Sequence, residues 1–238
     1  LDTWRRGGQM NWLARLEVDA EIARTESMLD NYVWHKRLWE GCFPDKPNAG
    51  RNFLTRIDQL EGAFRIWILA KRKPERPRWC PSDGFALNEI AASFLTHRYY
   101  AFDLRANPVK TLVQRGPNGE TLLRPNGKRK SGKRVPLVKP DDLRAWFIQK
   151  GNVRCRDQET GLDVPGGFRI VEDKPLEISP MVEHYFRKKG QSGYHGGVQF
   201  RGTLEVTDQK KFIETYQSGI GSAKGFGFGL LLLAPIKM

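Results

Sequence analysis

The order of strand and helix patterns in the second half of the chain constrains its fold more than any other sequence feature. Strand-like alternation over about 99–114 precedes a helix pattern in KPDDLRAWFIQKG, which begins with proline and acids and stops at Gly151. A weak strand near 167–172, the alternating segment VQFRGTLEV, a helix from about Asp208 and a strand at Leu230–Ala234 follow. This β-α-β-β-α-β order predicts a ferredoxin-like domain with a four-stranded antiparallel sheet.

The first half of the chain begins in the same way. NWLARLEV alternates like a strand, a helical stretch covers about Ser27–Cys42, and 53–58 and 63–71 predict two strands joined through Gly62. The segment 74–86 holds three prolines and predicts a loop, whereas 87–98 fits either a short helix or a strand.

We therefore predict an α+β protein with two tandem ferredoxin-like (RRM-like) βαββαβ domains, one at 10–95 and one at 99–238. Sheets of this kind are common RNA-binding platforms.

Positive charge is the most informative part of the composition. The chain of 238 residues has a formal net charge of +13. Ten Lys and Arg between Arg105 and Lys139 face one acid, Glu120. Such a block repels itself unless a polyanion compensates it, so a nucleic-acid partner is favoured over a merely solvated lysine-rich loop. A membrane surface is disfavoured because the block contains no amphipathic helix.

The spacing of the cysteines and the lengths of the apolar runs indicate where the protein is located and which structural sites it lacks. Cys42, Cys80 and Cys155 lie far apart with no CxxC, which argues against a disulfide framework or zinc site and favours a cytoplasmic location. No apolar run approaches the roughly 20 residues that span a bilayer, and the first residues do not resemble a signal peptide. We expect no metal and no cofactor.

The segment QSGIGSAKGFGFGLLLLAP contains five glycines directly before an apolar strand, and their function is not obvious from their number alone. Dinucleotide and P-loop sites need their glycines between a strand and a following helix, and here a helix precedes the glycines and a strand follows them. Two interpretations remain open. The glycines allow the helix end to pack closely on the sheet, or their amides and Lys224 contact a phosphodiester backbone.

Three segments together resemble the CasE-type CRISPR precursor-RNA endoribonucleases of type I-E systems: YVWHKRLWEGCFP near the start, FDLRANPVKT at 102–111 and GIGSAKGFGFGLLLLAP near the end. The resemblance covers Met10 to Pro235. It implies metal-independent cleavage of the repeat hairpin in a CRISPR transcript and retention of that hairpin within Cascade. The other Cascade subunits are then partners, and target DNA is met only through the complex.

The resemblance also implies site residues. The family's Tyr-x-x-His pattern falls on Tyr32 and His35, and its glycine-rich loop, which lies against RNA, falls on Gly219, Gly221, Lys224, Gly225, Gly227 and Gly229. A lysine that some relatives carry five residues after the histidine is Glu40 here. A cation that stabilises the transition state must therefore come from elsewhere.

The chemistry of RNA self-cleavage suits these residue types. The ribose 2′-OH attacks the adjacent phosphate, and the enzyme removes one proton, donates another and offsets charge on the phosphorane. A histidine can move such protons near neutral pH, and Tyr32 and His35 lie one helical turn apart on the same side. His35 also falls in an apolar arc with Met28, Leu38 and Trp39, so a packing role is the alternative.

The basic hairpin RPNGKRKSGKRVP is predicted to lie against the phosphates of an RNA stem. The predicted RNA-binding side chains outside the glycine-rich loop are Arg105, Lys110, Lys128, Arg129, Lys130, Lys133, Arg134 and Lys188. His184 and His195 are expected in exposed loops. A non-catalytic RNA-binding subunit on the same scaffold is the second hypothesis, because a fold alone never proves an activity.

Overall fold

The computed structural model describes residues 11–28, 30–44, 53–125, 127, 130–152, 155–156, 163–188 and 191–237. Its helices are α1 (Ala20–Thr25), α2 (Asn31–Cys42), α3 (Pro140–Asn152) and α4 (Gln209–Ser218). Its strands are β1 (Asn11–Asp19), β2 (Phe53–Leu60), β3 (Ala63–Ala70), β4 (Phe85–Ile90), β5 (Tyr99–Ala106), β6 (Val109–Val113), β7 (Ser131–Pro136), β8 (Cys155–Arg156), β9 (Asp163–Val164), β10 (Phe168–Ile170), β11 (Glu177–Ile178), β12 (Val182–Lys188), β13 (Gln191–Val206) and β14 (Leu231–Pro235). None of the helices in these ranges is long and apolar enough to cross a membrane.

The first sheet has the strand order β2-β3-β1-β4, and every neighbouring pair is antiparallel. Its buried face carries Leu16, Ile66 and Ile68, which belong to one apolar cluster with Trp34 and Leu38 of α2. The alternation of NWLARLEV thus buries one face of β1 against the helix, as period-two patterning requires.

The second sheet repeats this order with β10-β13-β5-β14, again antiparallel. Phe147 of α3 and Phe212 of α4 pack with Leu104 and Phe200 of the sheet in a second buried cluster. The ferredoxin-like fold class is therefore confirmed. The division at 10–95 and 99–238 stays a prediction, with the strands of the two sheets lying within 11–90 and 99–235.

Four local predictions need correction or completion. The loop predicted at 74–86 is found at 71–84, where prolines interrupt regular hydrogen bonding, and it ends two residues early because β4 begins at Phe85. The ambiguous stretch 87–98 contains the end of β4 and a 3-10 turn over Ala92–Thr96. The predicted strand 99–114 breaks at Asn107–Pro108 into β5 and β6. The helical stretch predicted at about Ser27–Cys42 is α2, and the short helix α1 before it was not predicted.

An ionic network joins the two sheets. The buried Arg56 guanidinium of β2 donates to Asp103 of β5 at 2.7 Å and to Asp58 at 2.9 Å. Arg201 and Gln199 of β13 also donate to Asp103. Burial opposes ionisation of Asp103, but the hydrogen bonds and charge of Arg56 outweigh it and lower the pKa of the carboxyl. This network fixes the position of the first sheet relative to the second.

Candidate active site and nucleic-acid interface

The two residues of the Tyr-x-x-His pattern lie in the first two turns of α2, Tyr32 in the first and His35 in the second. Asp30 caps the helix, and its carboxylate accepts hydrogen bonds from the backbone N–H of Tyr32 at 2.8 Å and of Val33 at 2.9 Å. The same carboxylate accepts the N–H of Arg187 from β12 at 3.1 Å. The helix end is thus anchored to the second half of the chain.

Tyr32 and His35 line one cleft of about 480 Å³ between the two halves of the chain. The cleft is lined by Tyr32, His35, Phe53, Leu54, Lys71, Gln217, Ser218, Lys224, Gly225 and Phe226. The His35 ring stacks on Phe53 with centroids 4.8 Å apart, and the residue is only 4% exposed. The geometry therefore fits both the packing role and the catalytic role of His35. One face of the ring packs on Phe53, and the residue also lines the cleft.

The glycine-rich loop (residues 219–229) forms the opposite wall of the cleft. The Asn31 side-chain amide donates to the carbonyl of Phe226 at 2.9 Å, which ties the helix that carries His35 directly to the loop. A methyl group built on Gly225 would lie 3.9 Å from His35 Nε2. The bare backbone of Gly225 therefore faces the histidine across the cleft.

The glycines of this loop divide into two groups. Gly219, Gly221, Gly227 and Gly229 all have positive φ. At Gly229, with φ of 87°, a methyl group would also meet the Ile220 carbonyl oxygen at 2.6 Å, so a side chain is excluded there for structural reasons. Gly225 is exposed and has no such constraint. The packing interpretation therefore fits these four positions, and contact with phosphate stays a prediction for Gly219, Gly221 and Gly225.

Two lysines supply positive charge to the cleft. Lys224 donates from Nζ to the Ser218 carbonyl at 2.6 Å, and Lys71 follows β3 and is exposed at the cleft wall. Lys71 was not predicted as a site residue, because it is separated from His35 by a strand hairpin and belongs to no motif. Glu40 forms an exposed ion pair with Lys36 at 3.7 Å and does not line the cleft.

The basic arm (residues 109–136) is a two-stranded hairpin of β6 and β7 that projects from the second sheet. Lys110, Lys130, Lys133 and Arg134 are exposed along it. Lys128 and Arg129 lie outside the described residues, and nothing is described of the side chain of Lys188 on β12. The structure thus brings four of the predicted cationic side chains to one arm.

Comparison with known proteins agrees with this architecture. A family model described as CRISPR associated protein matches residues 11–235. The CRISPR system Cascade subunit CasE of Escherichia coli strain K12 is 30% identical over 216 residues, which cover 90% of this chain and 96% of that protein. The chain belongs to the CasE family of CRISPR-associated proteins.

Two further relatives extend the match. The CRISPR-associated endoribonuclease Cse3 of Thermus thermophilus is 26% identical over 233 residues, covering 94% of this chain and all (100%) of that protein. A solved structure of Thermus thermophilus Cse3, bound to an RNA representing a pre-cleavage complex, superposes with a TM-score of 0.66 at 23% identity over 95% of this chain and 100% of that one. The latter likeness establishes the shared fold.

Arg105 occupies a different place in this CasE-type chain from the one its sequence context predicted. Its guanidinium pairs with Asp58 at 2.8 Å and donates to the Ile57 carbonyl, and its side chain is only 20% exposed. Burial lowers the pKa of Arg105, against the opposing charge of Asp58. Arg105 thus contributes to the inter-sheet network, and its contact with RNA stays a prediction.

His184 and His195 are not in exposed loops, and that expectation was wrong. They face each other across the β12–β13 hairpin and pack against Phe226 and Phe228 of the glycine-rich loop. Burial lowers the pKa of both rings, and the charges of Arg105 and His195 lower that of His184 further. The two rings support the loop from behind.

Proposed function

We propose that this protein is a metal-independent endoribonuclease that cleaves the repeat stem-loop of CRISPR precursor RNA and keeps the product hairpin bound. The observation that carries the proposal is the cleft itself, in which the Tyr-x-x-His pair faces the glycine-rich loop. The name of the Cse3 relative, an endoribonuclease, supports the activity. The name of the CasE relative, a Cascade subunit, supports assembly with other Cascade subunits.

Four residues of the cleft have a role in the proposed reaction. His35 moves a proton at Nε2, either from the attacking 2′-OH or to the departing 5′-oxygen, and Tyr32 positions the phosphate. The 2′-oxygen forms a bond to phosphorus as the bond to the 5′-oxygen breaks, which leaves a 2′,3′-cyclic phosphate and a 5′-OH. Lys71 and Lys224 offset the charge that develops on the phosphorane, taking the place of the family lysine that is Glu40 here.

The basic arm binds the stem in this proposal. Its lysines and arginines neutralise phosphates along the groove of A-form RNA, where shape rather than base sequence is recognised. Slow release of the hairpin would keep the protein on its product within Cascade, and target DNA would be met only through the complex. We include a cytoplasmic location in the proposal, which the three widely spaced cysteines favour.

A non-catalytic RNA-binding subunit is the second candidate, and the deep burial of His35 at 4% exposure favours it. Incubation of the protein with a repeat stem-loop RNA in EDTA separates the two. We expect cleavage at one bond, with a 2′,3′-cyclic phosphate end, and complete block by a 2′-deoxy substitution at the nucleotide upstream of the cut. Binding without cleavage, or cleavage that survives the 2′-deoxy substitution, would contradict the proposed reaction.

A further inference from the structure

A second cavity lies on the other side of the glycine-rich loop from the cleft. This arm pocket has a volume of about 570 Å³ and is lined by the base of the basic arm, the start of β13 and the loop. Ser222 and Ala223 line the arm pocket, whereas the next two residues, Lys224 and Gly225, line the cleft. Consecutive Cα atoms are about 3.8 Å apart, so the two cavities adjoin.

The rim of the arm pocket combines positive charge with an aromatic surface. Lys133 and Arg134 are exposed on one side. Tyr194 is 44% exposed on the other, and the ring of Tyr185, 67% exposed, lies 5.9 Å from it. Cationic side chains beside exposed aromatic rings are the combination that binds unpaired nucleotides, through their phosphates and through stacking.

Polar groups at the floor of the pocket form hydrogen bonds that hold the glycine-rich loop in place. The Asn107 amide donates to Ser222 Oγ at 3.2 Å, and Ser222 Oγ donates in turn to the Asn107 carbonyl at 3.2 Å. His195 Nδ1 lies 3.4 Å from the same amide nitrogen. Because these donors are used within the protein, they are not offered to the edge of a base. Asn107 Oδ1 and His195 Nε2 have no hydrogen-bond partner among the described residues but are buried, so we expect recognition in this pocket to rest mainly on stacking and charge.

We propose that the arm pocket holds an unpaired nucleotide that flanks the stem, next along the RNA strand from the phosphate in the cleft. The inference rests on the proposed function, which supplies the strand in the cleft. It adds a second site that contacts RNA outside the stem. The pocket would hold the strand on the far side of Ala223–Lys224 and so align the scissile bond with His35.

Affinity measurements on matched RNAs test this inference. The RNAs are a stem without flanks and the same stem with three unpaired nucleotides on its 5′ or its 3′ side, all with a 2′-deoxy nucleotide that prevents cleavage. We expect one flank to tighten binding roughly fivefold or more with the wild-type protein, with similar gains for all four bases. Tyr194→Ala removes this gain and leaves affinity for the bare stem unchanged. Val182→Ala, an exposed change on the same hairpin outside the pocket, retains the gain.

Fluorescence gives an independent readout. A 2-aminopurine in the effective flank is quenched on binding to the wild-type protein, because it stacks on Tyr194, and remains bright on Tyr194→Ala. If neither flank tightens binding, or if the gain survives Tyr194→Ala, the arm pocket does not hold a nucleotide even though the stem is bound. If the bare stem fails to bind as well, the proposed function fails together with the inference.

Discussion

At the scale of single residues, the site depends on what faces His35 Nε2. At position 225 an added methyl group would lie 3.9 Å from His35 Nε2, in the space beside the imidazole, whereas the glycine at 229 is needed by the backbone alone. The two positions lie in the same loop, and a change to alanine adds the same single methyl group at each. They therefore separate a catalytic requirement from a folding requirement.

We predict opposite effects for Gly225→Ala and Gly229→Ala. Gly225→Ala leaves the thermal unfolding midpoint unchanged, since the added methyl has only ordinary contacts, but slows cleavage by roughly 100-fold because the phosphate is displaced. Gly229→Ala destabilises the fold by at least about 1–2 kcal/mol because of its left-handed backbone. Calorimetry and cleavage rates measure the two effects. Equal loss of stability in both variants would refute the division.

Some of these residues were predictable from the sequence and others were not. Tyr32 and His35 belong to a spaced motif on one helix, so a resemblance can find them. Lys71 and Asn31 contribute through tertiary contacts to residues distant in sequence, and no local pattern marks them. The structural role of Arg105 was not predictable either, because Asp58, the acid that binds it, comes from the other sheet.

At the scale of elements, the basic arm and the β12–β13 hairpin have different roles. The arm projects charge into solvent, and the hairpin packs two histidines under the glycine-rich loop. The first role is electrostatic and therefore depends on salt. The packing of the two histidines depends on pH, because burial favours the neutral form of each ring.

Neutralising the arm should weaken binding and its salt dependence together. In Lys133→Gln/Arg134→Gln, we expect the slope of log affinity against log salt to decrease by about 1 for each lost phosphate contact. Fluorescence anisotropy of a labelled stem-loop across salt concentrations measures this slope. Lys210→Gln, an exposed change on α4, is the matched control and leaves the slope unchanged. An unaltered slope in the arm variant would favour a merely solvated arm.

The half-buried histidines His184 and His195 predict a loss of stability in acid. Their pKa values are lowered in the folded state, so below the ordinary value near 6.5 the unfolded chain binds more protons. The free energy of unfolding should therefore fall as pH drops from about 7 to 5, by less than about 1.4 kcal/mol per pH unit for each histidine, because solvent reaches part of each ring. His184→Phe keeps the ring contact with Phe228 and should reduce this slope in urea titrations. An identical slope in the variant would exclude His184 as a source.

At the scale of the whole molecule, the two sheets must keep a fixed relation for the cleft to exist. The first sheet supplies Phe53 and the helix with His35, and the second supplies the glycine-rich loop. The fold class could be predicted because each half has its own periodic pattern. The relation between the halves could not, because Arg56, Asp58 and Asp103 lie in strand patterns that give no sign of pairing across sheets.

Breaking the inter-sheet network should therefore reduce stability and activity together. Asp103→Asn removes the carboxylate that the buried Arg56 needs, and we expect a loss of about 2 kcal/mol. This is below the roughly 3–5 kcal/mol of a fully buried pair, because Asp103 exposes 27% of its side chain. Arg201→Gln, on the exposed side of the same carboxylate, should cost about 1 kcal/mol or less. Equal costs in urea unfolding would show that burial does not decide the outcome.

Cleavage and binding by His35→Ala, measured on the same repeat stem-loop in EDTA, test the central claim most directly. The account predicts that cleavage falls below detection while affinity for the stem-loop stays within about threefold, since the arm supplies the binding. His97→Ala, an exposed histidine outside the cleft, should cleave at the wild-type rate. Undiminished cleavage by His35→Ala would contradict the account and leave the cleft as a place where RNA is bound but not cut.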